Sequence, residues 1–377
     1  MAGDFSRVRH HPLHDWAGVE IKQGAVLLDA DFNELVATVD RRLRALASDV
    51  LGRATVSQTT PQAFQLSAVG GVLHLGRGRL YVDGLLAENH GAGGATFDPL
   101  LAEPSAAGPL PITAQPYLPQ PLALPTGGRH LVYLDVWQRE VTALEDPSLV
   151  ESAVGVDTST RLQTVWQARL LSEGVDGASA CDSELAAWNA LVAPSSGRLT
   201  SGSFEVPPAA DPCELPPTGG YRGLENQLYR VEIHDPGQPG AGATFKWSRE
   251  NASVGVAVVD LISPTELELA SLGRDEVLGI AEGDWVEVLD DMREFSLAGG
   301  EMRRVQTADP ATRRITLSAA LPAAMLPATF PDAGFAAPRH LRVKRWDQRG
   351  RVFRTGSAVP VQDLDAAGSR GVVDVPA

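Results

Sequence analysis

The sequence has only two cysteines among 377 residues, Cys181 and Cys213. Two thiols so far apart do not supply the ligands of a zinc site. Both lie in Gly/Pro/Ser-rich segments and could pair in a disulfide. Without a secretory signal, however, reduced thiols are the better expectation, so the pairing stays open.

Long apolar runs are also missing. The longest, Val254–Ile262, is far shorter than the roughly 20 residues that a spanning helix needs, which predicts no membrane span. The first residues, MAGDFSRVRHHPLHDW, lack the apolar core of a secretory signal. We therefore expect assembly in the cytoplasm, with any release outside the cell by another route.

Positive charge is scarce. The chain has 32 Lys and Arg against 47 Asp and Glu, a net charge of −15. A protein this acidic repels nucleic acid and anionic membranes unless it carries a basic patch, and Arg339–Arg354 is a modest one. The charge predicts no nucleic-acid partner.

The signatures of catalysis are missing as well: there is no GxSxG elbow, P-loop, HExxH or CxxC, nor a GxGxxG between strand and helix. The acidic residues from Asp135 to Asp157 lack the spacing of a calcium loop and suit turns and strand edges. The histidines of HHPLH (residues 10–14) lack a carboxylate motif that would complete a metal site. We expect no enzyme, no metal and no cofactor.

What the sequence does contain is one clear helix signal between Gln23 and Gly52. Apolar residues recur there at alternating spacings of four and three, which predicts a helix with a narrow apolar stripe. We call this stripe the apolar seam, and its residues are Phe32, Val36, Val39, Leu43, Leu46 and Val50. Asp31 is expected to cap the helix with Glu34 in a capping box, and Gly52 to end it.

Most of the remaining chain has the patterns of strands and loops. It predicts a mainly β fold of several small sandwich- or barrel-like modules, with one N-terminal amphipathic docking helix. The expected segments are residues 1–60 (arm, strand and helix), 61–250 (β-rich with long Pro/Gly loops), 251–325 (small barrel) and 326–377 (one strand and a loosely ordered tail). Short helices are expected at Ser148–Val154 and Glu184–Leu191.

The densest polar and aromatic segment is GYRGLENQLYRVEIH, residues 220–234. Its alternation predicts a strand with Arg230 and Glu232 on the outer face. Arg, Tyr, Trp and Asn are favoured at protein interfaces, so we interpret the segment as an interface rather than a catalytic pocket.

Several blocks in one order resemble a family of phage-tail-like proteins found with contractile injection systems. The first is the turn and helix start formed by Gln23, Gly24, Leu28, Asp29, Ala30, Asp31, Phe32, Asn33 and Glu34. Further blocks are LYVDGLLAEN, YLDVWQREVTALEDPSL, TRLQTVWQARLL, GYRGLENQLYRVEIH and FKWSREN, so the likeness covers most of residues 3–251. Lys22 and Ala25 depart from the family pattern of a second glutamine and an arginine.

The resemblance implies a structural component at the baseplate or spike of such a particle, as a cage or fibre-base protein. It implies contact with baseplate, spike or sheath proteins and a homo-oligomer, with a trimer favoured. The expected assembly residues are Gln23, Gly24, Asp29, Asp31, Phe32, Asn33, Glu34, Val36, Val39, Leu43, Leu46, Tyr221, Arg222, Glu225, Asn226 and Trp247.

Two alternatives remain open. One is a receptor- or glycan-binding module of a tail fibre that uses Trp137, Trp166, Tyr221 and Trp247 as stacking platforms. The other, less favoured, is a glycan hydrolase with a carboxylate pair such as Asp135 and Glu225.

Overall fold

The computed structural model describes residues 3–5, 8–92, 108–200, 228–273, 275 and 278–376. The chain divides into two compact units. The first comprises Met1–Ala123, Asp135–Gln167 and Asn226–Ala377, and the second comprises Leu124–Leu134 and Ala168–Glu225.

The N-terminal half, as far as it is described, contains the long helix α1 (Asp29–Leu51) and the short helix α2 (Ala186–Leu191). Single 3₁₀ turns lie at Pro12–His14, Ile112–Ala114 and Pro147–Leu149. The strands are β1 (Ala54–Val56), β2 (Leu66–Val69), β3 (Val72–Leu75), β4 (Gly78–Val82), β5 (Leu85–Asn89), β6 (Leu110–Pro111), β7 (Leu131–Val141), β8 (Val150–Glu151), β9 (Val156–Asp157) and β10 (Arg161–Leu171).

The C-terminal half contains α3 (Asp291–Phe295), α4 (Ala333–Ala336) and 3₁₀ turns at Ala323–Met325 and Ala337–Arg339. Its strands are β11 (Arg230–Ile233), β12 (Thr244–Ser248), β13 (Gly255–Leu261), β14 (Glu266–Leu269), β15 (Trp285–Leu289), β16 (Glu301–Asp309), β17 (Arg314–Leu317), β18 (Arg342–Trp346), β19 (Arg351–Phe353), β20 (Pro360–Asp363) and β21 (Val373–Asp374).

A closed antiparallel barrel is the largest sheet in the described chain, with strand order β13-β14-β17-β16-β15-β18. Strand β14 shows how the strands face the core. Leu267 and Leu269 are fully buried, whereas Glu266 and Glu268 are not, so alternate side chains of the strand enter the barrel. The core includes Val256, Leu261, Val286, Ile315 and Val343. Each such side chain stabilises the fold by about 1.5–3 kcal/mol on burial.

The mainly β prediction is confirmed, since small sheets and the barrel account for most of the regular structure. The sequence predicts five of the barrel strands within residues 251–325. The sixth, β18, lies beyond that segment and closes the barrel by pairing with β13 and β15. Strand pairing over such a distance leaves no local mark in the sequence.

Several local predictions are wrong. The strand expected between the arm and the helix is absent, since residues 18–28 contain no strand and turn at Gln23 and Gly24. Ser148–Val154 is not a helix: after the turn Pro147–Leu149 the chain forms the hairpin β8–β9. The sequence pattern of Phe64–Leu75 predicts one strand, but the segment forms the hairpin β2–β3, because Gly70 and Gly71 both adopt positive φ. The tail is more regular than expected, since β19 pairs with β20 and β21 with β12.

The short helix predicted near Glu184–Leu191 is confirmed as α2. The Asp83-Gly84 turn is confirmed between β4 and β5. Among the described residues, no helix combines the length and apolar character needed to cross a membrane.

Candidate docking surface

Helix α1 presents its apolar seam to solvent. The six seam side chains retain between 45% and 71% of their accessible area. The residues that α1 buries are instead Ala30, Glu34 and Thr38, which lie on the opposite side of the helix. The helix therefore packs on the protein with a small, partly polar face and leaves its most apolar face uncovered.

The N-terminal arm holds the first turns of α1 in place. Arg9 forms an ion pair with Asp31, and Thr38 Oγ1 lies 3.4 Å from His10 Nδ1. These contacts use residues that the sequence analysis did not select, because a histidine and an arginine in a polar arm give no sign of their partners.

The predicted capping box is absent. The helix begins at Asp29, and the residue before it, Leu28, has no side chain that can cap. Asp29 and Asp31 both lie in the first turn, where carboxylates interact favourably with the helix dipole. Glu34 is buried rather than turned back to the helix start. The error is one of register, since Asp31 as the cap would make Phe32 the first helical residue, whereas the helix begins three residues earlier, at Asp29.

Gly52 ends the helix as predicted. Its φ is 84°, a value that glycine tolerates best, and its N–H donates to Ser48 O at 3.0 Å. Before the helix, Gln23 and Gly24 form an exposed turn in which Ala25 N–H donates to Lys22 O at 3.1 Å and Gly24 has a φ of 73°. Asn33 is exposed in the second turn of α1.

The arm adds further exposed apolar residues. Leu13, Ile21 and Val26 are 83%, 54% and 81% exposed, and Trp16 is 50% exposed. Large exposed apolar side chains are candidates for contact with a partner when they form a patch. Residues 8–51 thus carry exposed large apolar side chains on both the arm and the seam.

One side of the C-terminal half of α1 forms a groove with the β4–β5 hairpin. The groove has a volume of about 560 Å³. Its walls are Leu43, Leu46, Ala47, Val50 and Leu51 from α1 and Tyr81, Leu85 and Leu86 from the hairpin, with Asp40, Arg44, Gln138 and Thr164 at its edges. The groove is mainly apolar and includes three seam residues, Leu43, Leu46 and Val50, so it suits a packed apolar side chain or helix rather than a polar substrate.

Gly84 lines this groove where the hairpin meets α1. Its φ is 78°, and a Cβ at this position would lie 2.6 Å from the carbonyl oxygen of Arg44. The hairpin turn thus rests directly on the backbone of α1. Arg44 also pairs with Asp40 at 3.8 Å along the helix.

The second part of the predicted interface is only partly visible. Tyr221, Arg222, Glu225 and Asn226 lie outside the described residues. Trp247 lies on β12, half-buried, with its ring 6.4 Å from that of Tyr229 and nearly parallel to it. Tyr229 itself is 56% exposed.

The predicted orientation of β11 is wrong. Val231 and Ile233 are 40% and 64% exposed, while Arg230 and Glu232 turn inward and pair with each other. The reason is a buried lysine on the neighbouring strand: Lys246 Nζ lies 3.6 Å from Glu232. Inside the protein, charge pairing outweighs the preference of apolar side chains for the interior.

That lysine belongs to a buried ionic cluster between β12 and the outer face of the barrel. Lys246 Nζ lies 2.5 Å from Glu287 Oε1 and 4.6 Å from the centre of the Trp346 ring. Glu287 also accepts hydrogen bonds from Gly300 N–H at 2.7 Å and Trp346 Nε1–H at 2.9 Å. Lys344, directly opposite Glu287 in the strand register, is buried too.

The cluster shifts the proton affinities of its members. Burial alone raises the pKa of Glu287, but the two lysines and the hydrogen bonds outweigh it and lower that pKa to about 2. Burial lowers the pKa of Lys344, and Glu287 and Glu232 partly oppose this. Lys246, Glu287 and Lys344 are only a few per cent exposed. The cluster therefore joins two sheets and offers no open site for a substrate.

A second buried charge, Arg342, lies at the other end of β18. Its guanidinium contacts Asp291 at 3.0 Å, Glu145 at 3.5 Å and also Glu294. Glu145 was considered above as a possible metal ligand. Its carboxylate instead accepts hydrogen bonds from the backbone and hydroxyl of Thr142 and faces Arg342.

Of the residues of the two alternative functions, Tyr221 and Glu225 lie outside the described residues, and Trp137 lies half-buried on β7. Trp166 is 1% exposed, donates its Nε1–H to Glu88 O at 2.7 Å and packs against Phe64 and Tyr117, so it is a core residue rather than a stacking platform. Asp135 also lies on β7. Within the described ranges, no three His, Cys, Asp or Glu side chains are grouped as metal ligands.

Cys181 is exposed. Its possible partner Cys213 falls outside the described residues, so the pairing stays open and reduced thiols stay the expectation.

Comparison with known proteins gives one family. Its profile matches residues 1–197 and 178–367, which together cover nearly the whole chain. No curated protein and no solved structure matches. The chain therefore belongs to the family of unknown function DUF6519.

Proposed function

We propose that this protein is a structural component of a contractile, phage-tail-like injection particle, located at its baseplate or spike as a cage or fibre-base protein. Helix α1 attaches it through the apolar seam, and the β modules form the body. The order of the sequence blocks described above supports the location. No catalytic step is part of the proposal.

The observation that carries the proposal is the orientation of α1. A helix that served only the fold would bury its apolar stripe, since each large apolar side chain gains about 1.5–3 kcal/mol on burial. Here Leu43, Leu46 and Val50 are 61%, 60% and 71% exposed, while Ala30 and Thr38 are buried. Covering the seam requires another surface, as assembly into a particle would provide.

The proposed place of assembly is the cytoplasm, where the chain joins the particle before any release. The net charge of −15 supports protein partners rather than nucleic acid. Partners from the baseplate, spike or sheath would cover the seam and the arm.

Sedimentation of lysate from the source cells tests this function. An antibody to the protein is used to ask whether wild type pellets with sheath and tube proteins. The Leu43→Asp variant places a carboxylate in the seam and is expected to remain in the supernatant. Ala45→Asp adds the same charge at an exposed position of α1 outside the seam and is expected to pellet like wild type.

The proposal is wrong if wild type stays in the supernatant while sheath and tube pellet. If Leu43→Asp pellets as well as Ala45→Asp, attachment does not use the seam. Circular dichroism of the two variants confirms that both are folded.

One observation favours a second candidate, a receptor- or glycan-binding module. Tyr229 and Trp247 form a surface aromatic pair with nearly parallel rings, and such faces stack on sugars. A glycan array together with tryptophan fluorescence tests it. Binding is expected to be lost in Tyr229→Ala and kept in Val231→Ala, which removes an exposed side chain without a ring from the same strand; an array without hits dismisses this candidate.

A further inference from the structure

We propose that the surface covering the apolar seam is the same helix from two further copies of this chain, packed parallel and in register about a three-fold axis. This rests on the proposed docking role of the seam and names the partner. The argument comes from the heptad positions of α1, the charges beside the seam and the side on which the rest of the protein lies.

The spacing of the seam points to another helix as its occupant. The alternation of four and three residues repeats every seven positions, the heptad pattern by which a stripe faces one neighbouring helix over several turns. In heptad terms Val36, Leu43 and Val50 occupy a positions, and Phe32, Val39 and Leu46 occupy d positions. A flat sheet or an irregular loop would not require this repeat.

The charges beside the seam select the direction. In a parallel, in-register pair, position g meets position e of the next heptad, so Leu35 faces Asp40 and Arg42 faces Ala47 of the partner. Neither contact joins like charges. In this parallel arrangement the partner helices cover all six seam residues.

The antiparallel arrangement that covers the same six residues is electrostatically unfavourable. It sets Val36 opposite Leu46 of the partner and centres the two-fold axis near residue 41. Position g then meets g and e meets e, which places Arg42 against Arg42 and Asp40 against Asp40 of the second copy. Like charges in contact at an interface oppose association.

The position of the protein body agrees with a cyclic arrangement. The buried residues Ala30, Glu34 and Thr38 lie on the side of α1 away from the seam. Three helices with their seams at a common axis therefore carry their bodies outward. The groove lies on the e side, where Leu85 and Leu86 offer a second apolar wall to the neighbouring helix.

The residue types along the seam are mixed. Val39 at d and Leu43 at a are the reverse of the arrangement that favours two-stranded coils, whereas Val36 and Val50 at a with Leu46 at d follow that arrangement. The width of the apolar face is what favours three chains over two, because Leu85 and Leu86 extend it beyond the a and d positions. The helix is about six turns long, so the trimer contact is short and the hairpin wall adds to it.

Analytical ultracentrifugation of the full chain at micromolar concentration is the first test. Wild type and Ala45→Asp are expected to sediment with three times the chain mass, and Leu43→Asp as a single chain. A wild-type monomer, or a mass unaffected by Leu43→Asp, would overturn the proposal.

Cysteine cross-linking tests direction and register. In a background with Cys181 and Cys213 changed to serine, Val36→Cys is expected to form disulfide-linked chains on mild oxidation, because equal a positions face one another. In the antiparallel arrangement the two residues are about 15 Å apart along the axis, beyond disulfide reach. Arg41→Cys, exposed on the far side of α1, is the control and is expected to stay unlinked.

A mixture of Val36→Cys and Leu46→Cys chains that links only between the two variants would show the antiparallel arrangement and contradict the proposal. The two proposals fail separately. A trimer that does not pellet with particles removes the particle role alone, and a monomer that does pellet removes the homotypic contact alone.

Discussion

Glu287 shows most clearly how single residues hold this fold together. Its carboxylate is almost completely buried and lies between Lys246, Lys344, Gly300 N–H and Trp346 Nε1–H. Such a group stabilises the protein only while every partner is present, because each buried charge needs its compensation.

We predict that Glu287→Gln lowers the free energy of unfolding by about 3–5 kcal/mol, because it leaves two buried ammonium groups without their nearest carboxylate. Glu266→Gln is the matched control. Glu266 lies half-exposed on β14, 3.7 Å from Arg314, and its loss is expected to cost less than about 1 kcal/mol. Urea denaturation of the three proteins measures the difference, and equal costs would contradict this account.

The same residue predicts a pH dependence. The pKa of Glu287 is about 2 in the folded protein against an ordinary value of 4.5. The unfolded chain therefore binds the proton first as the pH falls. The stability that Glu287 contributes is complete above about pH 4.5 and is lost between there and about pH 2, in total about 3 kcal/mol.

Unfolding free energies of wild type and Glu287→Gln between pH 7 and pH 2 provide the measurement. The difference between the two proteins is expected to narrow across that window. A constant difference would mean that Glu287 is not ionised in the native state.

At the scale of elements, the seating of the β4–β5 hairpin on α1 determines the shape of the groove. Gly84 combines a positive φ with a close approach to the backbone of Arg44, whereas Gly71 has a positive φ of 82° with open space around it. Alanine at Gly71 therefore measures the cost of backbone strain alone, and alanine at Gly84 adds the cost of steric contact with α1.

We predict that Gly71→Ala destabilises the protein by about 1–2 kcal/mol, the usual cost of a left-handed residue with a side chain. Gly84→Ala is expected to cost at least about 1 kcal/mol more, because its Cβ displaces the hairpin from α1. Thermal denaturation compares them. If the two variants are equally stable, the hairpin does not rest on the helix as described.

The helix and the barrel strands illustrate how far local pattern reaches. The seam of α1 and the alternation of β14 repeat within a few residues, so both elements are predictable from the sequence. Strand β11 is not, because its charged residues face inward only in the presence of Lys246 on β12. The seam residues of the helix are predictable from their spacing, but their exposure is not.

At the scale of the whole molecule, stability and assembly are expected to be separable. In an isolated chain the side chain of Leu43 is 61% exposed, so Leu43→Asp removes little buried area. We predict that it changes the free energy of unfolding of the dissociated chain by less than about 1 kcal/mol. It is nevertheless expected to abolish association.

The dependence of the thermal midpoint on protein concentration tests whether stability and assembly are separable. If association stabilises the folded chain, the thermal midpoint of wild type rises with protein concentration. The midpoint of Leu43→Asp is expected to be independent of concentration, and that of Ala45→Asp to behave like wild type. A wild-type midpoint that does not change over a hundredfold range of concentration would contradict the assembly.

Local order in the chain is enough to specify a mainly β protein, the place of one long helix, its six-residue stripe and most barrel strands, because these depend on neighbours a few positions apart. The start of that helix, the inward charges of β11 and the closure of the barrel by β18 depend on partners far away in sequence. The exposure of the stripe also depends on residues far away in sequence. Which face of a helix meets water is decided by everything else that packs around it, and here Ala30, Glu34 and Thr38 occupy the space that the stripe would have taken.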